Sequence, residues 1–463
     1  MTGRAGILVL ATAGILVLET MAAAASDPAM AILDQARGTP AEIFTDVAFR
    51  LLDAGKIPEK GRVALLDEVF LRANGAREPL PTRPADISPP YPSSGETHLD
   101  GLSIKCRVVK AMLAIDGKHA RELFTEIARP HVPKPDCKAA ILADPTVYFD
   151  TLAEVVTKAP FTAEEQKNQV PFWMTADAVR GIETSIEIVA AARNLSQLVH
   201  TEKEALVMST AFASALTLND CDRNFTAATH NSNLVDAVLM ASEKFARLGA
   251  PPQSVQAALR AYLVRHLSAS RCEDSVDNNM PASLALFRQH LAVQTAIQPI
   301  SEEESKPSQV EGLAERTRKP DQDDYIELSN DVAALSVNGP EPAEVEAEVE
   351  KVLAKLRDWQ GSPGQDAIDV FHRKARLYYR MLGPRVNSGL HREILSGLMA
   401  TLEDSAILDA SPADWLAEIR GLERVTMHFS NKKDAVPEDN AQAMNNSSIS
   451  ALQVYGKLAV LDR

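Results

Sequence analysis

Two short stretches gather the side chains best suited to chemistry. "LNDCDRNF" at 218–225 sets Asp220 and Asp222 on either side of Cys221, followed by Arg223 and Asn224. "SASRCEDSVDNN" at 268–279 sets Cys272 between Arg271 and the acids Glu273, Asp274 and Asp277, with Asn278 and Asn279 beyond. Three chemistries suit these ingredients. Two thiols in an oxidising compartment can close a disulfide, clustered oxygens can cage a hard cation, and paired carboxylates across a cleft can serve as general acid and base in glycoside hydrolysis. Asp220, Asp222 and Asn224 match the first three ligand positions of an EF-hand loop. Phe225, however, stands where the sharp turn needs Gly, and Asn231 where a bidentate Glu should close the site, so an EF-hand is excluded. A different cage stays open, in which a Cys221–Cys272 bond draws Asp220, Asp222, Asp274 and Asp277 around calcium. The plainer reading is structural. Both cysteines fall just past expected helix C-termini, so the acids would cap the helices that follow, and Arg223 and Arg271 would pair with acids of the facing loop or bond the last carbonyls of the preceding helices.

Other catalytic signatures are absent from the sequence: it contains no GxSxG elbow, P-loop, GxGxxG, HExxH or CxxC. Its ten histidines include no pair three to five residues apart, which removes any local helical metal clasp. The four cysteines form an even set, and the pairings Cys106–Cys137 and Cys221–Cys272 each close within one contiguous helical segment. For Cys106 a rival reading is a free core thiol, because Leu102, Cys106, Val109 and Leu113 share one helical face. "FHRKARLYYRMLG" at 371–383 interleaves basic and aromatic residues, but as a helix it turns Phe371, Ala375, Tyr378 and Leu382 to a core and its basic groups to solvent.

The elements that must position these residues read as helices nearly throughout. In 39–54, Ile43, Phe44, Val47, Ala48, Leu51 and Leu52 line one face, with Thr39 and Glu42 placed for a capping box and Gly55 for the stop. A second helix follows over 58–75, with Leu65, Leu66, Val69, Phe70 and Ala73 on its buried side. Neither can bury its face alone, so the two must pack as an antiparallel hairpin. Ser411 to Asp414 repeat the start signal, and Pro342 opens a charged helix. Further helices are expected near 99–115, 117–129, 176–194, 201–217, 231–248, 251–269, 282–298, 364–382 and 387–404. The spacing gives an all-α fold of antiparallel helical hairpins, stacked as an irregular α-solenoid or gathered as a multi-helix bundle.

Two composition breaks and the first residues divide the chain. Residues 78–98 carry six prolines and read as an extended connection, and 299–324 is an acidic, polar linker. Arg4, the apolar run from Gly6 to Leu18, and Ala23 and Ala25 placed for cleavage read as a signal peptide. The expected division is therefore a signal peptide (1–25), an N-terminal helical hairpin (26–77), the Pro-rich connection (78–98), a central helical domain with all four cysteines (99–298), the acidic linker (299–324) and a C-terminal helical domain (325–463). The stretch from about 429 reads as loose before a last short helix.

A net charge of −15 argues against nucleic acid, because counterion release from phosphates needs a basic surface. No second apolar run is long enough to span a bilayer. With its export signal and successive helical hairpins, the chain resembles exported all-helical bacterial proteins of unassigned function. Its paired helices are distantly similar to tetratricopeptide-type solenoids, without their Trp, Leu-Gly and Tyr signature. That resemblance implies a stacked scaffold and assigns no functional residue. The leading expectation is a secreted or periplasmic, non-enzymatic helical scaffold without a cofactor, facing a protein or polymer partner. The alternative is a secreted hydrolase with an acidic site near the Cys221 and Cys272 loops that takes calcium. A solute-binding protein fits less well, since such proteins usually need α/β lobes.

Overall fold

Caps and apolar stripes decide where each helix starts and what it buries. The computed structural model describes residues 27–77, 98–130, 145–218, 228–269, 271–272, 296–306, 310–311, 322–337, 342–361, 365–382, 388–430 and 436–461. The first run of helices comprises α1 (Pro28–Ala36), α2 (Ala41–Asp53), α3 (Glu59–Arg72), α4 (Gly101–Leu113), α5 (Gly117–Thr125), α6 (Thr146–Lys158), α7 (Ala163–Lys167), α8 (Val170–Arg180), α9 (Ser185–Leu195), α10 (Glu202–Leu218), α11 (Ala228–Arg247) and α12 (Gln253–Ser268). The second run comprises α13 (Gln322–Val337), α14 (Pro342–Asp358), α15 (Ala367–Met381), α16 (Ser388–Leu402), α17 (Ser405–Ala410), α18 (Pro412–Ser430), α19 (Val436–Asn445) and α20 (Ser450–Leu461). The protein is all-α. Among the described residues the only sheet is a two-residue parallel pairing of β1 (Arg271–Cys272) with β2 (Val310–Glu311). No described helix is long and apolar enough to cross a membrane.

Local chemistry fixes the boundaries. On α2, Ile43, Phe44, Val47, Ala48 and Leu51 are buried, and Gly55 takes the left-handed φ of +66° that ends the helical stretch. The expected Thr39–Glu42 capping box is not formed. Pro40 supplies the first helical carbonyl, the Thr39 hydroxyl donates back to Ala36 O at 2.6 Å, and Glu42 accepts from the Arg77 backbone N–H at 2.7 Å. Capping boxes occur instead at Thr162–Glu165, Thr184–Glu187 and Thr201–Glu204. The second of these splits the single helix expected over 176–194. The helix ends at Arg180, a last turn bond runs from the Ile182 N–H to Val179 O, and Thr184 and Glu187 restart the helical bonding as α9.

Within each run, neighbouring helices pack against one another in order. In the first, α1 lies on α2, α2 on α3, α3 on α4, α4 on α5 and α6, α6 on α8 and α9, and α10 and α11 on α12. In the second, α13 lies on α14 and α15, α14 on α16, α15 on α16 and α18, α16 on α19, and α19 on α20. The runs meet through the ends of the chain: α1 packs on α20 and α2 on α18. One connected apolar core runs from Ala29 to Leu458. The last part of the chain is therefore structured where looseness was expected, with Ala441 and Met444 of α19 buried against its neighbours. The acidic linker also has a docked part. The Ser301–Glu304 turn is strapped to α12 by Arg260, whose guanidinium meets Glu304 at 2.8 Å, and α13 begins inside the expected linker at Gln322. The Pro-rich stretch 78–97 lies outside the described residues.

Candidate functional site

The residues singled out by sequence separate into those the structure places and those it does not. Asp220, Cys221, Asp222, Arg223, Asp274, Asp277 and Cys137 lie outside the described residues. Arg271 and Cys272 form β1, whose pairing brings this corner beside the backbone of Val310 and Glu311. Cys106 is a free, fully buried thiol in α4, which corrects the expected Cys106–Cys137 bond. It occupies the core face shared with Val109 and lies beside Thr151 of α6. Burial pushes its thiol up to about 12, so it stays protonated and unreactive. Among the described residues, no group of three or more His, Cys, Asp or Glu side chains is arranged to hold a metal ion.

Three other constellations emerge from the packing. The first joins the two helical runs. Asp46 of α2, almost fully buried, receives Arg50 at 2.8 Å, Arg420 of α18 at 2.8 Å and the Tyr455 hydroxyl of α20 at 2.8 Å. Arg50 continues to Glu423 through two bonds of 2.6 and 2.8 Å. Burial works against a charged Asp46, but Arg50 and Arg420 outweigh it and hold the carboxyl below its usual range. Each charge meets an opposite one, so the cluster acts as a clamp and leaves no group free for catalysis.

The second constellation locks α15 to α18. His372 Nδ1 lies 2.5 Å from Glu418 Oε1, and its Nε2 lies 3.2 Å from Asp414 Oδ1. Ser411, at the N-terminus of α18, donates its hydroxyl to the other Asp414 oxygen. Burial disfavours the imidazolium, yet the hydrogen bonds and charges of Asp414 and Glu418 prevail and lift His372 to about 10. The residue types are those of a serine hydrolase, but the wiring differs. A nucleophilic Ser must hand its proton to a neutral His. Here Ser411 gives it to a carboxylate, and both ring nitrogens of His372 face acids, so the imidazole is not a base for Ser411. The sequence carried a signal for this lock in Asp414 and Glu418, two carboxylates one helical turn apart, but nothing that named their partner.

The third is a groove of about 600 Å³ between the C-terminal end of α14 and the facing sides of α15 and α16. Trp359, Val370, Phe371 and Tyr378 supply apolar wall, while Arg357, Lys374, Ser396 and Thr401 supply polar groups. Two glycines shape it. Gly361 turns the chain after α14 at φ +76°, where a Cβ would strike Val370, and Gly397 of α16 leaves room for the Tyr378 ring, which a Cβ would approach to 2.5 Å. Lys374 donates to the carbonyls of Arg357 and Trp359, each at 3.1 Å, and so closes off the end of α14. Burial lowers the Lys374 pKa below the ordinary lysine value.

No family model, curated protein or solved structure matches this chain.

Proposed function

We propose that the protein is a secreted or periplasmic helical scaffold whose stacked helices present a surface to a protein or polymer partner. The observation that carries this reading is the packing order: helices bury their inner stripes against near neighbours in two runs, which leaves a succession of outward faces along each run. Some of these faces carry large apolar side chains in water, among them Leu218 of α10 at 76% and Met240 of α11 at 71% exposure. Export is supported by the apolar run behind Arg4 and the small residues before Ser26. The calcium-taking hydrolase rests on acids outside the described residues, and no contact described above favours it.

The test is site-specific photo-crosslinking in the producing cell, with a benzophenone side chain placed in turn at Leu71, Met240 and Ile326. A scaffold gives a discrete heavier adduct from one face and none from the others. Absence of any discrete adduct from all three positions would remove the reading. The mass of the protein recovered outside the cytoplasm tests export, with a chain beginning at Ser26 as the expected result.

A further inference from the structure

We infer that the groove at the end of α14 is a binding site for a small organic anion, an oxyanion head on an aromatic or aliphatic body. Its volume of about 600 Å³ falls within the range of small-ligand sites, and its lining divides between apolar side chains and polar or charged ones, as suits a ligand with a charged head. The sign of its charge is what selects the ligand. In a chain of net charge −15, the groove is lined by two cations, Arg357 and Lys374, and by one acid, Asp404. That acid turns one oxygen, Oδ1, to the Ala406 and Ile407 backbone N–H groups at the start of α17, which leaves the cations in excess. Among the described residues neither Arg357 nor Lys374 makes an ion pair; Asp358 acts on Lys374 only through space. The Lys374 ammonium has three N–H donors and spends two on the carbonyls of Arg357 and Trp359, which hold it in place and leave one for a ligand. Anchored in this way, it loses little freedom on binding. Ser396 on the opposite wall offers a hydroxyl to the same head, the Thr401 hydroxyl being spent on the Gly397 carbonyl, and Trp359 and Phe371 offer ring surface to the body.

The experiment is calorimetric titration of the full-length protein with 4-phenylbutyrate, phenyl phosphate and the neutral 4-phenylbutyramide. The expected result is saturable binding of at least one anion, at least tenfold tighter than the amide, and the stronger of the two anions identifies the head as carboxylate or phosphate. Arg357→Gln is expected to weaken anion binding about fivefold or more while leaving the amide unchanged. Lys374→Gln should do the same and Lys374→Arg should retain binding. Lys374→Gln also removes two bonds to the end of α14, so exposed Arg357 tests the charge without touching that cap. Ala400→Trp, which fills the groove from its exposed side, is expected to abolish binding of all three. Equal affinity for anion and amide, no saturable binding, or binding untouched by Ala400→Trp would overturn the assignment.

Discussion

Cys106 has a hydroxyl for a neighbour where a disulfide would need a sulfur, and this makes it a probe of the core. Its thiol lies fully buried beside Thr151 with its pKa pushed up to about 12, so almost none is thiolate at neutral pH. Iodoacetamide should leave Cys106 unmodified in the folded protein and label it completely in denaturant, as read by mass spectrometry of its peptide. Rapid native labelling would contradict the packing of α4 on α6. His372 makes the opposite use of burial. Its pKa near 10 stands above the ordinary histidine value of 6.5, so its stabilising effect is fully present below about pH 6.5 and is lost as pH rises through 10. Thermal denaturation between pH 6 and 10 should show a fall in Tm that His372→Gln flattens, from a lower starting point because Asp414 and Glu418 are left without their cation. Parallel curves would mean that His372 carries no charge. Residues of this kind were only half legible in the sequence. The apolar face containing Cys106 was visible, but whether a second cysteine reached it was not, since spacing cannot measure distance across a fold.

At the scale of the element, boundaries were the most legible feature. The expected helices over 201–217, 251–269 and 364–382 correspond to α10, α12 and α15 within a few residues, because apolar stripes and stop signals are local properties. The departures are also local. Thr39 closes α1 and does not open α2, a choice made by Pro40, and the box at Thr184–Glu187 cuts one expected helix into two. Removing that box with Thr184→Ala should cost about 1 kcal/mol, read from the denaturant midpoint. An unchanged midpoint would show that packing alone restarts α9. The α19 stretch was missed because its composition is polar and only a few residues reach the core, so the pattern is weak until α20 is present to receive them. The groove was illegible for a related reason, in that its residues come from three helices and two of its determinants are glycines. Gly397→Ala should destabilise by about 1–3 kcal/mol through the clash with Tyr378, and Tyr378→Leu should relieve part of that loss. Additive effects in the double variant would place the strain elsewhere.

The whole molecule is held by contacts between residues at opposite ends of the sequence, and no periodicity announces them. Asp46 meets Arg420 across 374 residues and Tyr455 across 409. The all-α class could be read from the chain because it is a sum of local tendencies, but the meeting of α1 and α2 with α20 and α18 depends on side chains that individually look like ordinary surface charges. Buried and paired, they become costly to disturb. Arg420→Ala leaves Asp46 inside the protein with Arg50 as its one remaining ion-pair partner among the described residues, and the cost of breaking a buried pair from one side is about 3–5 kcal/mol, reduced here because Arg420 is partly exposed. Replacing Tyr455 by Phe removes a single hydrogen bond and should cost about 1 kcal/mol. The consequence that distinguishes a clamp from a local ion pair is where the loss is felt. Hydrogen exchange in Arg420→Ala should quicken in α1 and α2 as well as in α18 and α20, because the two runs share this junction. Acid should act in the same way on the native protein. Asp46 is held below its ordinary value of 3.8, so its contribution is present above that value and is lost as pH falls through the folded one. Faster exchange confined to α18 would show that the two helical runs are stabilised independently.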